Sequence, residues 1–452
     1  MLPNKPPRTK VAGMSGWGRY PKADQTVERP EKSSQLSMFD GSVLARGMGR
    51  AYGDAALNST VTDVLTERLD RFLEFDSESG LLKVEAGATI KDVLDAMVPK
   101  GWFVPVTPGT KFSTIGGCVA ADVHGKNHHA DGSFGQHVAS LDMVLADGSR
   151  VVCSPNEHSD VFWATVGGMG LTGIIESATF RLIPIETAYM KVGHRRCGNL
   201  DVAFNLMDDS KHDDRYSVCW IDCLSRERKL GRSVLITGHH AAKGEVPLMS
   251  QTPLKIRERR AKHFKRDWPG FMLNPWSIRL FNSLYYLREG GRGEFRTDYN
   301  SFFYPLDRMH DWNRMYGKRG FVQYQFVVPR ENAREGVRKA IDLLSRMRRA
   351  SFLAVLKRMG PASPGLLSFP MDGYTLALDI PLTNDLVEFL KKLDEVVLAH
   401  KGRVYLAKDS RLPAAAFRAM YPRLDEFLAV KRSVDPENRF SSDMARRLEI
   451  AP

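Results

Sequence analysis

The segment ADVHGKNHH, residues 121–129, places three histidines and one lysine within nine residues. Imidazoles ligate metals and transfer protons, so the cluster suggests either a metal site or a catalytic site. His124 and His128 have the four-residue spacing of one helix face, but Gly125 and Asn127 disfavour a helix between them. A metal would also need imidazoles that converge with a carboxylate, so we expect no metal. A solvated loop is the alternative for His128 and His129.

Three glycine-rich stretches offer backbone N–H groups to a ligand: ARGMGRAYGD (45–54), PGTKFSTIGG (108–117) and VGGMGLTG (166–173). The first misses the G-x-G-x-x-G spacing of nicotinamide-binding folds. Any one of the stretches alone indicates only tight turns. Together they favour one extended anionic ligand, a dinucleotide, with Arg46 and Arg50 as charged donors unless these are solvated.

The composition predicts a soluble globular protein of two or three domains. The 452 residues include 65 Lys and Arg against 53 Asp and Glu, a formal net charge of +12. This excess favours a phosphorylated substrate, an acidic membrane surface or nucleic acid, although it also serves solubility alone. The five cysteines are scattered and predict no disulfide framework. We expect no signal peptide and no membrane-spanning run.

The elements that carry these residues alternate between strands and helices. Residues 1 to about 35 are expected to form a loose arm, followed by short strands within 42–54, 60–66 and 81–89. Thr89 should cap a helix that ends at Gly101, because apolar residues recur at helical spacing after it.

The middle of the chain predicts an antiparallel sheet with helices on one face. Strand-like runs occupy 323–329 and 374–381, and amphipathic helices are expected at 331–349 and 384–400. The expected domains are 1–185, 186–405 and a helical C-terminal segment, 406–452, that returns to the first domain.

Longer stretches carry a family resemblance. VEAGATIKDVLDAMVPKGWFVPVTPGT and TIGGCVAADVHG resemble the flavin domain of the vanillyl-alcohol-oxidase superfamily. Over nearly the whole chain, ARGMGRAYGDAALN, FWATVGGMGLTGII, WNRMYGKRGFVQYQFVVP and VYLAKDSR are similar to the decaprenylphosphoryl-β-D-ribose 2′-oxidase family. The resemblance implies an α+β fold with a two-part FAD-binding domain and a substrate domain whose antiparallel sheet is covered by helices.

The resemblance also implies the reaction. FAD-dependent oxidation of the C2′ hydroxyl of a polyprenyl-phosphoryl ribose would give a keto sugar, which a separate NADH-dependent keto-reductase would convert to the arabinose form. Relatives with covalent FAD use a loop histidine. The comparable residues here, Gly49, Arg50 and Ala51, include none, so we expect non-covalent FAD.

The site residues follow from this resemblance. Catalytic roles are expected for Lys408, His124 and Tyr52. The residues expected to bind substrate are Lys126, Gln323, Gln325, Ala377 and Lys408. The residues expected to bind the cofactor are Ala45, Arg46, Gly47, Met48, Gly49, Arg50, Ala51, Tyr52, Gly53, Asp54, Gly109, Thr114, Ile115, Gly116, Gly117, Ala121, Asp122, Val123, His124, Ile175 and Tyr405.

Two of the substrate expectations need comment. Gln323 and Gln325 are two residues apart in a predicted strand, so both should point to the same face. Ala377 stands where the mycobacterial members of the family carry a pocket cysteine, so inhibitors that bond to that thiol should fail here.

A basic segment, residues 255–266, precedes a run rich in Trp, Phe, Leu and Tyr. This order is typical of peripheral binding to an anionic membrane, although a solvated charge run is the alternative. Nucleic acid is disfavoured because no recognised module surrounds the segment. The other functions that remain open are an oxygen-dependent oxidase of soluble aldonolactones or alditols, and a flavin-less scaffold for the reductase.

Overall fold

The computed structural model describes residues 10–451 except 38, 40, 61, 210–213, 247–251, 257–260, 271, 350 and 352. The chain starts with four strands: β1 (Lys10–Ser15), β2 (Lys22–Glu28), β3 (Val43–Arg46) and β4 (Thr62–Leu65). They form one sheet in the order β1–β2–β4–β3. The expected loose arm is therefore wrong for these residues, because β2 pairs with the distant β4 and buries Gln25 and Val27. Residues 1–9 lie outside the described part.

A second sheet has the order β5–β6–β10–β8–β9, and β7 pairs with β11 beside it. The elements of this layer are β5 (Phe72–Asp76), β6 (Leu81–Glu85), α1 (Ile90–Met97), β7 (Trp102–Phe103), α2 (Ile115–Ala120), α3 (His128–Asp131), β8 (Val138–Val144), β9 (Arg150–Cys153), α4 (Ser159–Thr165), β10 (Ile174–Arg181) and β11 (Ile183–Pro184).

Helix α1 shows how local sequence sets this layer. The Thr89 hydroxyl accepts the N–H of Asp92, and the Asp92 carboxylate accepts the N–H of Thr89, so both ends of a capping box are present. The helix packs its apolar face into the core, and Gly101 ends the following turn with a φ of +84°. The predicted cap and stop are confirmed.

The third sheet has eight strands in the order β16–β12–β14–β13–β19–β20–β18–β21, and all of its pairings are antiparallel. The elements of this part are β12 (Tyr189–Cys197), α5 (Leu200–Asp208), β13 (Tyr216–Ile221), β14 (Ser233–His240), β15 (Lys262–His263), α6 (Pro275–Glu289), β16 (Gly293–Asp298), α7 (Tyr299–Phe303), β17 (Met309–His310), β18 (Phe321–Pro329), α8 (Arg330–Arg346), β19 (Ala354–Met359), β20 (Gly373–Pro381), α9 (Leu386–Ala399) and β21 (Arg403–Val404).

Helices α8 and α9 are the two that the sequence predicts, and they cover one face of this sheet. Val337, Ile341 and Leu344 of α8 are buried against Phe326 and Leu376 from the strands. Because strand side chains alternate, the neighbouring positions of β18, β19 and β20 project to the opposite face. The α+β class, with an antiparallel sheet covered by helices, is confirmed.

The C-terminal segment contains α10 (Ala414–Met420), α11 (Leu424–Val434) and α12 (Asp443–Arg447). It packs against the first layer, where Phe440 bridges to Val43 in β3. The buried ammonium of Lys431 lies 2.7 Å from the Asp435 carboxylate and donates to the carbonyl of Leu171, in the third glycine stretch. The domain boundaries near 185 and 405 stay a prediction. None of the described helices is long and apolar enough to cross a membrane.

Candidate active site

A cavity with a volume of about 300 Å³ lies between the glycine stretches and the eight-stranded sheet. All three stretches reach its wall. The first contributes Gly47 and Gly49, the second Gly109 and Gly116, and the third Gly170. The structure thus brings to one place three loops that are spread over more than a hundred residues of the sequence.

The first loop is suited to a pyrophosphate. No acceptor in the described part of the chain receives a hydrogen bond from the backbone N–H groups of residues 47–51. A Cβ atom at Gly47 would overlap the Thr114 hydroxyl, so only glycine allows this approach. Consecutive free amides form an anion-binding concavity. These features fit FAD, which carries a pyrophosphate.

Three neighbouring strands form the polar wall of the cavity. Gln323 and Gln325 project from β18, Ala377 from β20, and Val355 and Lys357 from β19. Gln325 is paired with Ala377, which is paired with Val355, so these side chains lie side by side. The period of two expected for the glutamines is present.

His124 lines the cavity next to this polar wall. Its Nε2 is 2.8 Å from the side-chain nitrogen of Gln325, and its Nδ1 is 3.5 Å from Nζ of Lys357. Burial, followed by the charge of Lys357, lowers the pKa of His124 well below its ordinary value. The imidazole is therefore neutral at physiological pH and acts as a hydrogen-bonding group.

The other two histidines of the cluster lie apart from the cavity. His128 is buried and its Nδ1 accepts the N–H of Gly360 at 3.0 Å, so the solvated-loop alternative is wrong for this residue. His129 contacts the carbonyl of Asp214. Within the described ranges, no group of three or more His, Cys, Asp or Glu side chains could hold a metal.

Lys408 faces the cavity from the other side. Its ammonium lies 3.9 Å from the centroid of the Tyr52 ring. Burial lowers the pKa of Lys408 to about 7, and burial raises the pKa of the nearby Asp379 to about 7. Gln323 donates to Asp379, and the Tyr405 hydroxyl donates to the carbonyl of Ala121 at 2.8 Å. The cavity therefore holds two half-buried lysines, Lys357 and Lys408, beside polar groups.

Most residues expected to bind cofactor or substrate line this cavity, and some do not. Arg46 donates to the carbonyls of Ser15 and Ala56, Asp54 pairs with Arg447 at 2.8 Å, and Asp122 accepts from Ser133 and Gly135. These side chains hold the loops in place. The predicted residues outside the wall are Arg46, Gly53, Asp54, Ile115, Asp122 and Lys126.

Lys126 differs most from expectation, because it was predicted to face the substrate. Its ammonium instead lies 4.2 Å from the centroid of the Phe302 ring and donates to the Phe302 carbonyl. Burial lowers the pKa of this lysine to about 7. The Phe302 carbonyl and ring face stabilise the Lys126 ammonium in place of water, so this side chain points away from the cavity.

Sequence reasoning missed several lining residues, including Lys357, Trp17 and Trp312. Lys357 shares a strand face with Val355 and Met359 in the run AVLKRM, and a single lysine on an otherwise apolar strand face was the available signal. Trp17 lies in the segment taken for a loose arm. Its ring stacks under Arg50, 4.2 Å from the guanidinium carbon.

Comparison with known proteins agrees with this geometry. The FAD binding domain family matches residues 37–154, and the D-arabinono-1,4-lactone oxidase family matches residues 314–448. Delta(24)-sterol reductase of Homo sapiens is 33% identical over 26% of this chain and 23% of its own. L-gulono-1,4-lactone dehydrogenase of Mycobacterium tuberculosis is 23% identical over 96% of this chain and 98% of its own.

A full-length relative settles the family. Decaprenylphosphoryl-beta-D-ribose oxidase of Mycolicibacterium smegmatis is 41% identical over 98% of both chains. The match to an FAD binding domain contradicts the flavin-less scaffold. Together with the glycine cradle and the polar strand face, this similarity shows that the chain belongs to the decaprenylphosphoryl-β-D-ribose oxidase family, FAD-dependent oxidoreductases of the vanillyl-alcohol-oxidase superfamily.

Proposed function

We propose that the protein oxidises the C2′ hydroxyl of a polyprenyl-phosphoryl-β-D-ribose to the 2′-keto sugar. The observation that carries the proposal is that one cavity joins the glycine cradle to Lys408 and to a strand face with Gln323, Gln325 and Lys357. The substrate class is taken from the name of the relative that matches over the full length.

The side chains of the cavity suit this chemistry. Bound FAD supplies the acceptor for the hydride of the C2′–H bond, while the hydroxyl proton leaves to a base or to water. Lys408 and Lys357 stabilise negative charge on a sugar or phosphate oxygen in a site with little water. Neutral His124, in contact with Gln325 and Lys357, holds these side chains in the polar wall that orients the sugar.

We infer that the cofactor is held without a covalent bond. The loop residues Gly49, Arg50 and Ala51 offer no histidine, and the cradle is formed by backbone amides. Acid precipitation should release all the flavin into the supernatant. Flavin that stays in the washed pellet would contradict this part of the proposal.

The reaction implies two partners. A keto sugar becomes an arabinose only if a second enzyme delivers hydride to the other face, so we infer an NADH-dependent keto-reductase. A polyprenyl tail remains in a bilayer, so we also infer a peripheral contact with an anionic membrane. Lys262, Lys265 and Arg266, in the predicted basic segment, are exposed and available for it. Residues 257–260 of that segment lie outside the described residues.

The direct test is product analysis. Purified protein with a synthetic polyprenyl-phosphoryl ribose should give a product lighter by two hydrogens. Borodeuteride reduction should then place one deuterium at C2′. An unchanged substrate, or deuterium at another carbon, would contradict the proposal.

A second candidate is an oxygen-dependent oxidase of soluble aldonolactones or alditols. The match of residues 314–448 to the D-arabinono-1,4-lactone oxidase family favours it. Rapid hydrogen peroxide formation with a soluble lactone, and none with the polyprenyl substrate, would select this alternative.

A further inference from the structure

Helix α6 (Pro275–Glu289) is attached to the protein through a mixed side, where its fully buried side chains are Ile278 and the polar Asn282. Asn282 donates to the Asp222 carboxylate at 2.7 Å. Arg232 donates to the other oxygen of Asp222 at 2.8 Å and to the Ser283 hydroxyl at 2.9 Å. A surface helix of a globular protein normally packs most of its apolar side chains inward, whereas α6 leaves most of its apolar side chains outside the core.

The outward side of α6 is apolar. The exposed fractions are 78% for Trp276, 63% for Leu280, 59% for Leu284 and 60% for Leu287. Spacings of four, four and three residues place these side chains on one stripe. Exposed apolar patches of this kind mark an interaction surface.

The surroundings of the stripe carry positive charge. Arg279 and Arg288 on α6, and Lys265 and Arg266 just before it, are exposed. The acidic neighbours are paired, since Asp267 lies 2.7 Å from Arg19 and Glu289 lies 3.3 Å from both Arg288 and Arg292. An apolar stripe flanked by exposed cations such as Arg279, Lys265 and Arg266 is complementary to anionic lipid headgroups over acyl chains.

Apolar contacts also continue from α6 to the cavity. Leu273, just before the helix, packs with Ile278 of α6 and also with the aromatic cluster around Trp312. Trp17 and Leu306 belong to the same cluster, and both line the cavity with Trp312. We name this series, from Leu273 through Trp312 to Trp17 and Leu306, the apolar lane.

We propose that α6 inserts its apolar stripe into an anionic bilayer and that the polyprenyl tail of the substrate reaches the cavity from that bilayer along the apolar lane. This inference rests on the proposed lipid substrate for the lane. The insertion of α6 can be tested without any substrate.

The first experiment is flotation with vesicles of phosphatidylcholine containing about 30% phosphatidylglycerol, using the flavin-loaded full chain. The test variant is Leu280→Ser/Leu284→Ser, and the control is Val387→Ser, an exposed apolar residue on α9. Wild type and control should float, and the double variant should bind at least about tenfold more weakly, because two apolar side chains no longer enter the acyl region of the bilayer. Equal flotation of the double variant, or no flotation of wild type, would overturn the proposal.

The second experiment separates docking from chemistry. The same proteins are assayed on a long-chain polyprenyl-phosphoryl ribose in those vesicles and on a soluble two-isoprene analogue. The double variant should lose about tenfold on the vesicle substrate and stay within about twofold of wild type on the analogue. Equal losses on both substrates would overturn the proposal.

Two further outcomes are distinguishable. If wild type oxidises neither substrate yet floats, the proposed function fails and the insertion of α6 stands. If wild type does not float but sediments as a dimer that the double variant abolishes, a second copy of the chain covers the stripe and the proposal is overturned.

Discussion

The imidazole Nε2 of His124 lies 2.8 Å from the side-chain nitrogen of Gln325, and its Nδ1 lies 3.5 Å from the Nζ of Lys357, two strands away from Gln325 in the same sheet. The contact connects the loop that follows α2 to the cavity-facing side of the third sheet. It therefore connects the part of the site formed by loops to the polar wall formed by strands. Because burial keeps the pKa of His124 well below its ordinary value, this contact is between neutral groups.

Replacing Gln325 should therefore impair orientation without emptying the site. Gln325→Leu leaves a buried imidazole nitrogen unpaired, which costs about 1–3 kcal/mol. We expect kcat/KM to fall by roughly 5- to 150-fold if that cost falls on the transition state. Flavin content, measured by absorbance, should be unchanged. Full activity of Gln325→Leu would show that the contact has no role in turnover.

A second variant tests the protonation state of His124. Gln325→Glu places a carboxylate beside the ring and should raise the pKa of His124 toward its ordinary value, because an opposite charge favours the protonated form. The imidazole resonances of the variant should then titrate at a higher pH than those of wild type, whose ring stays neutral at physiological pH. A wild-type ring that titrates near pH 6.5 would contradict the account.

Lys408 should give the enzyme an alkaline limit. Its pKa is lowered to about 7 by burial, so the ammonium is present below that pH and lost above it. A role that needs the positive charge predicts that kcat/KM falls as the pH rises through about 7. Lys408→Arg keeps its charge, so its decline should move up toward pH 8, where Lys357 loses its proton. An unchanged pH profile in Lys408→Arg would remove Lys408 from this role.

Gly47 should be essential for FAD affinity. An added methyl group would overlap the Thr114 hydroxyl, and overpacking of this kind costs about 1–3 kcal/mol. Gly47→Ala should therefore raise the Kd for FAD by roughly 5- to 150-fold in a fluorescence titration. Gly198→Ala, where a Cβ meets open space, is the matched control. The cradle assignment fails if both variants bind FAD as wild type does.

Ala377 should allow a thiol to be introduced without loss of activity. It lines the cavity, whereas the five native cysteines are buried. Ala377→Cys should keep kcat/KM within about threefold of wild type, since the added volume faces open space. A small maleimide should label the variant at position 377 by mass spectrometry, and substrate should protect it. Labelling of wild type at the same rate would contradict the placement.

Local signals in the sequence predicted the helices well, but they predicted the pairing of the strands poorly. The Thr89 cap and the periodic faces of α8 and α9 depend on residues three or four apart, which a sequence displays directly. β2 was not predicted because its partner is distant in sequence: β4 starts at Thr62, 40 residues after the first residue of β2, Lys22. Whether Lys357 faces the cavity likewise depends on the order of the strands in the sheet, which the periodicity of the sequence does not specify.

The cavity was predictable in part. The glycine stretches pointed to one extended ligand, but only resemblance joined them to Lys408 and the glutamines. Lys126 and Asp122 lie in the predicted segment, but their side chains do not line the cavity. Lys126 donates to the Phe302 carbonyl, and Asp122 accepts from the Ser133 hydroxyl. The exposed apolar stripe of α6 could not be predicted, since the Asp222–Asn282 bond that orients the helix spans 60 residues.

The central claim is flavin-dependent oxidation of a polyprenyl-phosphoryl ribose. The most direct measurement mixes the yellow, FAD-loaded protein with that substrate under anaerobic conditions and follows the visible absorbance of the oxidised flavin. The account predicts rapid bleaching, with one equivalent of 2′-keto sugar formed per flavin. Full flavin occupancy with no bleaching by this substrate, and bleaching by a soluble aldonolactone, would contradict it.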